Sequence, residues 1–282
     1  MKPDRDEALI FLHIPKTGGS TLYKILEQQY APFETITLDT PGVARFKTLS
    51  ADERGRYRLI QGHLCFGLHR FIPRASTYIT FLRHPVERAV SFYYYARTTP
   101  DHYLYPVLTA ERLDLKTMLA RKLTSELCND QTRALAGDEW EDPERLVTRD
   151  ALDRAKGNLQ THFRLVGLLE EFDASLLLLH RAFGWQVPFY FKENVTKAKP
   201  PEASLDVETR RLVEDTNSLD LELYEFARNL FDEQCRAAGD SFTTDLRRFR
   251  QLNSAFAGSA PRLATSVRRI LRRLQNSLNF NH

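Results

Sequence analysis

The chain has 282 residues, of which 42% are hydrophobic, and a formal net charge of +3 at pH 7. This length suits one large core, and we expect one domain over residues 1–245 followed by a basic tail over residues 246–282. Three scattered cysteines exclude a disulfide framework, and the absence of a Cys-x-x-Cys pair argues against zinc. The short, charged N-terminus leaves no room for a signal peptide or membrane anchor, which predicts a cytoplasmic protein.

The charge is distributed unevenly along the chain. From Arg247 onward there are eight arginines and no Asp, Glu or Lys, so the preceding body is net negative. An acidic body argues against nucleic-acid binding. Between Leu263 and Leu278, apolar residues recur at helical spacing beside arginines, which predicts a basic amphipathic helix. This helix could dock on the body, form an oligomer contact, or lie peripherally on an anionic membrane.

The first predicted element is a strand in the apolar run over residues 9–14, which breaks at Pro15 and is followed by a loop and a helix that starts at Ser20. Two glycines in the loop allow positive φ and a close approach to a ligand, while the helix N-terminus favours an anion. The alternative is a plain turn with an N-cap. The lysine precedes the glycines, so this is not the P-loop of ATPases. The candidate phosphate- or sulfate-binding residues are Lys16, Thr17, Gly18, Gly19, Ser20 and Thr21.

Residues 31–56 contain several turn-forming residues, and we expect no regular element there except a short strand near Ile36. The next strand, over residues 57–60, leads through a glycine to His63. Because the carboxyl ends of parallel strands gather around a ligand crevice, His63 lies where chemistry could occur. The alternative is a structural histidine.

The clearest strand covers residues 77–82, and Pro85 then suits the first turn of a helix. Arg83 at the strand end and Ser91 two turns into the helix could reach one ligand group. Alternatively, Arg83 pairs with Glu87 on the surface and Ser91 faces solvent.

The remaining pattern alternates helix and strand, which predicts an α/β fold with a parallel sheet. Residues 98–150 form a helix-rich insert of the kind that often sets specificity. A basic loop over residues 191–201, with Asn194 and Lys197, either folds over an anionic group of a nucleotide or is a solvated linker. The other predicted elements are helices at 150–160, 171–183 and 208–231 and a strand at 163–168.

Three motifs in this order resemble the PAPS-dependent sulfotransferase family that includes heparan sulfate 2-O-sulfotransferase. They cover residues 14–21, 62–63 and 81–95. Later segments at 153–159, 163–171 and 223–227 are also similar, so the resemblance extends from about residue 9 to residue 231.

The resemblance implies a P-loop-NTPase-like three-layer fold with a central parallel sheet, and the donor 3′-phosphoadenosine 5′-phosphosulfate (PAPS) without a metal. By motif position, residues 16–21 hold the 5′-phosphosulfate, and Arg83 with Ser91 holds the 3′-phosphate. His63 acts as the general base, and Lys16 neutralises charge on the leaving nucleotide. Asn194 and Lys197 are further candidate donor contacts.

Two departures from the family concern the acceptor. Family members that act on heparan sulfate have a second histidine two residues before the base, where this chain has Gln61, and they carry a membrane anchor. We therefore expect a soluble, bacterial-type enzyme that sulfates a glycan, a glycolipid or a small hydroxylated metabolite. The alternatives are a nucleotide kinase-like phosphotransferase and a non-catalytic nucleotide-binding interaction protein.

Overall fold

A central sheet of five parallel strands organises the molecule. We analysed a computed structural model, which describes residues 7–137, 146–186, 189–190 and 205–259. The strands are β1 (Ala8–Leu12), β2 (Thr35–Leu38), β3 (Leu59–Gly62), β4 (Ser76–Leu82) and β5 (Phe163–Leu168), and their order in the sheet is β2-β3-β1-β4-β5. All four pairings are parallel, which confirms the predicted fold class.

Helices connect the strands and cover the sheet. All five residues of β1 are buried, as expected for a central strand with both faces covered. The α-helices of the described residues are α1 (Gly19–Leu26), α2 (Thr40–Thr48), α3 (Ala51–Gly55), α4 (Pro85–Thr98), α5 (Tyr105–Ala110), α6 (Leu115–Ala120), α7 (Asp130–Ala136), α8 (Arg149–His162), α9 (Phe172–Phe183), α10 (Val207–Thr216), α11 (Ser218–Ala237) and α12 (Phe242–Ser259).

Helices α2 and α3 correct the prediction for residues 31–56, where only the short strand was expected. Asp39 caps α2 by accepting a hydrogen bond from the Gly42 N–H at 2.7 Å. Ser50 and Glu53 form a capping box at the start of α3. The turn-forming residues of this segment therefore start helices, since a proline in the first turn and a side-chain cap both favour helix initiation.

The helix-rich insert builds a second, smaller core beside the sheet. Apolar residues of α4, α5, α6 and α10 form this cluster, separately from the main core around the strands. The insert is therefore anchored to α4, the helix that follows the strand end carrying Arg83.

Helix α12 runs through residue 246, where the sequence suggested that the basic tail begins. Its Phe249 and Phe256 are buried, and Arg250 forms ion pairs with Glu171 at 3.3 Å and Asp173 at 3.5 Å. The first part of this segment thus docks on the body near α9. The predicted amphipathic helix beyond residue 260 lies outside the described residues.

The carboxyl ends of the strands place the candidate residues along one edge of the sheet. The residues directly after the five strands are His13, Asp39, His63, Arg83 and Leu169. Ligands of open parallel sheets bind at this edge. The fold therefore brings the first loop, His63 and Arg83 to the same side of the molecule.

Candidate active site

The loop between β1 and α1 has the backbone of an anion-binding turn. Gly18 has φ +89° and caps α1, and Lys16 also has positive φ, at +71°. A lysine in this conformation stores strain of about 1–3 kcal/mol, a feature typical of functional sites. The N-terminus of α1 adds partial positive charge from the helix dipole, which favours an anion.

The hydroxyl-bearing residues of the loop differ in their surroundings. Thr17 is fully buried, and its hydroxyl donates to the Ile14 carbonyl at 2.8 Å. Its hydroxyl proton is therefore used within the loop. Ser20 is half-buried and Thr21 is buried in the first turn of α1.

Two cations lie close together beside this loop. Arg83 donates from Nη1 to the Lys16 carbonyl at 3.2 Å. Burial, followed by the charge of Arg83, lowers the pKa of Lys16 to about 8. Its Nζ lies 3.8 Å from the centroid of the Tyr95 ring. The charge of Arg83 thus disfavours the charged form of Lys16, and an anion bound near both side chains would relieve this repulsion.

Arg83 and Ser91 occupy the positions that the sequence suggested, at the end of β4 and inside α4. The ion pair between Arg83 and Glu87, offered as the alternative, is present at 3.0 Å, and the same guanidinium also contacts the loop. Ser91 is buried and does not face solvent. Their joint contact with a 3′-phosphate stays a prediction.

His63 follows β3 directly, and its side chain is exposed at the sheet edge. Nearby protein atoms nevertheless lower its pKa through desolvation, and the Asp39 carboxylate opposes this shift. The imidazole is therefore mostly neutral at neutral pH and can accept a proton.

His13 is a site residue that sequence reasoning missed. The pairing of Leu12 with Gly62 makes His13 and His63 neighbours, and their ring centroids are 4.8 Å apart. His13 is buried, and its Nδ1 is 2.8 Å from the Tyr23 hydroxyl. Burial, then the charges of His63 and Lys16, holds its pKa well below the ordinary value. His13 lies within the apolar run that predicted the first strand, so no local pattern set it apart, and only the register of β1 and β3 brings it to His63.

The His13 ring also explains why a glycine starts α1. A Cβ atom on Gly19 would lie 2.0 Å from His13 Nε2, which is too close for any side chain. The His13 ring thus lies next to both the start of α1 and the His63 ring.

Gln131 holds the backbone of Arg83. Its Oε1 accepts from the Arg83 N–H and its Nε2 donates to the Arg83 carbonyl, both at 3.0 Å. Gln131 is fully buried in the first turn of α7. No local pattern indicates this contact, because Gln131 and Arg83 are 48 residues apart in sequence.

Helices α7 and α11 cap each other behind Gln131, an arrangement that we call the reciprocal cap. Asp220 of α11 accepts hydrogen bonds from the Gln131 and Thr132 N–H groups at 3.1 and 2.7 Å. Asn129 in turn accepts from the Leu219 and Asp220 N–H groups at 2.9 and 3.0 Å. These bonds satisfy donors at both helix N-termini.

A buried ion pair lies next to the reciprocal cap. Arg88 and Asp130 are 3.2 Å apart, and each side chain is only 1% exposed. Burial raises the pKa of Asp130, and the charge of Arg88 opposes this shift. Arg88 is therefore paired with Asp130 in the interior of the fold.

The predicted donor contacts Asn194 and Lys197 lie outside the residues that the structure describes. Within them, no group of three His, Cys, Asp or Glu side chains is placed to hold a metal ion. None of the described helices combines the length and apolar character needed to cross a membrane.

The fold and site together define a class: an α/β protein with a glycine-containing loop at a strand–helix junction, beside a histidine with a lowered pKa. The family follows from a comparison with known sequences, in which the Galactose-3-O-sulfotransferase family matches residues 1–261. The chain belongs to this family.

Individual relatives are distant. The chain is 25% identical to mouse uronyl 2-sulfotransferase over 79% of its length and 62% of that protein, and 26% identical to human galactose-3-O-sulfotransferase 2 over 81% and 61%. It is 25% identical to Xenopus laevis heparan sulfate 2-O-sulfotransferase 1 over 81% and 71%. It thus spans less than two thirds of the first two proteins. Mouse sulfotransferase SULT7A1 complexed with PAP matches with a TM-score of 0.45 and 12% identity, covering 82% of this chain and 90% of that one.

Proposed function

We propose that the protein transfers the sulfuryl group of PAPS to a hydroxyl group of a carbohydrate. One observation carries the proposal: Lys16, Arg83 and a mostly neutral His63 meet at one sheet edge, beside a helix N-terminus. Cations and N–H groups suit the donor, and a neutral imidazole suits the acceptor hydroxyl. Membership of a sulfotransferase family supports the same chemistry.

The donor would be held at two ends. Residues 16–21 bind the 5′-phosphosulfate, and Arg83 with Ser91 binds the 3′-phosphate. The contact between Arg83 and the Lys16 carbonyl supports this arrangement, because it fixes the distance between the two anion sites. Asn194 and Lys197 are further candidate contacts to the nucleotide.

The transfer itself is an in-line substitution at sulfur. The acceptor oxygen forms a bond to sulfur while the bond between sulfur and the bridging oxygen breaks, and 3′-phosphoadenosine 5′-phosphate (PAP) leaves with the electron pair. His63 takes the proton from the acceptor hydroxyl. Lys16 neutralises the charge that grows on the bridging oxygen. These residues suffice for the step, and we propose that it proceeds without a metal.

The relatives guide the choice of acceptor. Their names specify uronyl, galactose and heparan sulfate groups, all of which are carbohydrates. A glycan or glycolipid acceptor is therefore our proposal. Cytoplasmic location and peripheral membrane or oligomer contact through the basic tail also remain proposals.

Replacing His63 by alanine tests the assignment. We expect transfer from radiolabelled PAPS to a glycan panel to fall about 10²–10⁴-fold, the usual contribution of a general base. PAP affinity, measured by calorimetry, should stay nearly unchanged.

His162→Ala is the matched control, because this exposed histidine precedes β5 and thus lies at the opposite edge of the sheet. Unchanged turnover in His63→Ala would refute the base assignment. Transfer of phosphate from ATP, without PAP binding, would instead favour the kinase-like alternative. PAP binding without any transfer would favour a non-catalytic module.

A further inference from the structure

Three aromatic side chains form an exposed surface next to Lys16, which we call the aromatic shelf: Tyr95, His102 and Tyr103. Tyr95 is 40% exposed and Tyr103 is 62% exposed. The rings of His102 and Tyr103 are stacked, with centroids 4.7 Å apart and an interplanar angle of 22°. Tyr95 meets His102 edge to face at 5.5 Å. Exposed aromatic rings in contact with one another indicate a binding surface.

Hydrogen bonds hold two of the three rings of the shelf in place. The Tyr103 hydroxyl donates to Glu126 Oε1 at 2.8 Å and is 2.7 Å from Thr124 Oγ1. The Leu104 N–H donates to His102 Nδ1 at 3.2 Å, which fixes that ring and leaves its other nitrogen protonated. The rings are therefore preorganised outside the core, a condition that favours ligand binding.

The shelf begins at the proposed sulfuryl-transfer site. Lys16 Nζ lies 3.8 Å from the centroid of Tyr95. Burial, and then the charge of Lys16, lowers the pKa of His102, so this ring is uncharged at neutral pH. A ligand that spans the shelf would thus have one end, at Tyr95, next to the residue that we assign to the phosphosulfate.

We infer that the aromatic shelf is the acceptor subsite, and that it stacks against the C–H face of a pyranose ring. A pyranose has an apolar face and a rim of hydroxyl groups, and the shelf offers flat rings bordered by Thr124 and Glu126. The Glu126 carboxylate suits hydroxyl donors and repels phosphate, so the nucleotide of the donor is the poorer occupant.

This inference rests on the proposed function, and the test separates the two. The protein is saturated with PAP, and saturation-transfer NMR detects binding of lactose and of a uronate-containing disaccharide. 2-Naphthol serves as an aryl competitor. We compare wild type with Tyr103→Ala, which removes a ring, and Tyr103→Phe, which keeps it. Phe33→Ala is the matched control, because Phe33 is 80% exposed and precedes β2, at the other edge of the sheet.

We expect Tyr103→Ala to weaken sugar binding about tenfold, the scale of one lost stacking contact, while Tyr103→Phe and Phe33→Ala stay within about threefold of wild type. PAP affinity should be the same in all four proteins. A sugar signal that Tyr103→Ala leaves unchanged, binding of 2-naphthol alone, or no sugar signal would overturn the inference. Weaker PAP binding in Tyr103→Ala would show that the shelf holds the nucleotide instead. Failure of the wild type to bind PAP would contradict the proposed function itself.

Discussion

The anion-binding loop and the reciprocal cap are both polar, but they are built in opposite ways. The loop lies within residues 13–19, and its one cation, Lys16, has a strained backbone conformation at the sheet edge. The reciprocal cap joins Asn129 to Leu219 and Asp220, which are 90 and 91 residues away, and Asp220 is fully buried. The loop is thus built from one short segment, whereas the reciprocal cap depends on buried contacts between residues that are distant in sequence.

Among the proposed substitutions, Gly19→Ala should cause the largest loss of PAP affinity, because it disturbs the loop between β1 and α1. The new Cβ would lie 2.0 Å from His13 Nε2, so either the loop or the His13 ring must move. We expect PAP affinity to fall about tenfold or more, since overpacking a closely packed site costs about 1–3 kcal/mol. Calorimetry measures the loss.

Gly157→Ala is the control for this substitution. Gly157 lies in α8, and a Cβ there meets no atom within 4 Å. We expect this variant to bind PAP normally and to gain up to about 1 kcal/mol in stability, the difference between glycine and alanine in a helix. Normal PAP binding in Gly19→Ala would mean that His13 does not constrain the loop.

The same contrast explains what the sequence could predict. The strand, loop and helix around Lys16 were predictable because glycine, proline and apolar spacing act over a few residues. His63 and Arg83 were predictable because each directly follows a recognisable strand. Helices α2 and α3 were missed although Asp39, Ser50 and Glu53 carry local capping signals, because Pro41 and Gly42 were interpreted as turn residues.

His13, Gln131 and Asp220 needed information that local patterns lack. His13 becomes a neighbour of His63 only through the register of β1 and β3. Gln131 is 48 residues from Arg83, and Asp220 is 89 residues from Gln131. A buried glutamine or aspartate has no sequence pattern that names its partner, since the partner depends on tertiary packing. The roles of Ser91, Asn194 and Lys197 stay predictions.

The pH dependence of kcat/KM tests the charge states that we assign to Lys16 and His63. Lys16 is a cation below its pKa of about 8, so kcat/KM for PAPS should fall about tenfold per pH unit above that value. The pKa of His63 is lowered from its ordinary value of 6.5, so the base stays neutral until the pH falls below that value. We therefore expect the acid limb of the kcat/KM profile below pH 6.5. Lys16→Arg should move only the alkaline limb, to higher pH. An alkaline limb that stays near pH 8 in this variant would assign it to another group.

Gln131→Leu should cause the smallest loss of PAP affinity, and it tests whether buried, long-range contacts position Arg83. The substitution keeps the volume of the side chain but leaves the N–H and carbonyl of Arg83 without their partner. We expect PAP affinity to fall about fivefold, since a displaced contact of this kind is worth about 1 kcal/mol. Asn158→Leu is the matched control, because Asn158 donates to the Leu135 carbonyl of the same helix α7 at 2.8 Å, away from Arg83. Both variants should lose similar stability in urea, and only Gln131→Leu should lose PAP affinity. Equal affinities would mean that the position of Arg83 is fixed by β4 alone, and that the long-range contacts stabilise the fold without tuning the site.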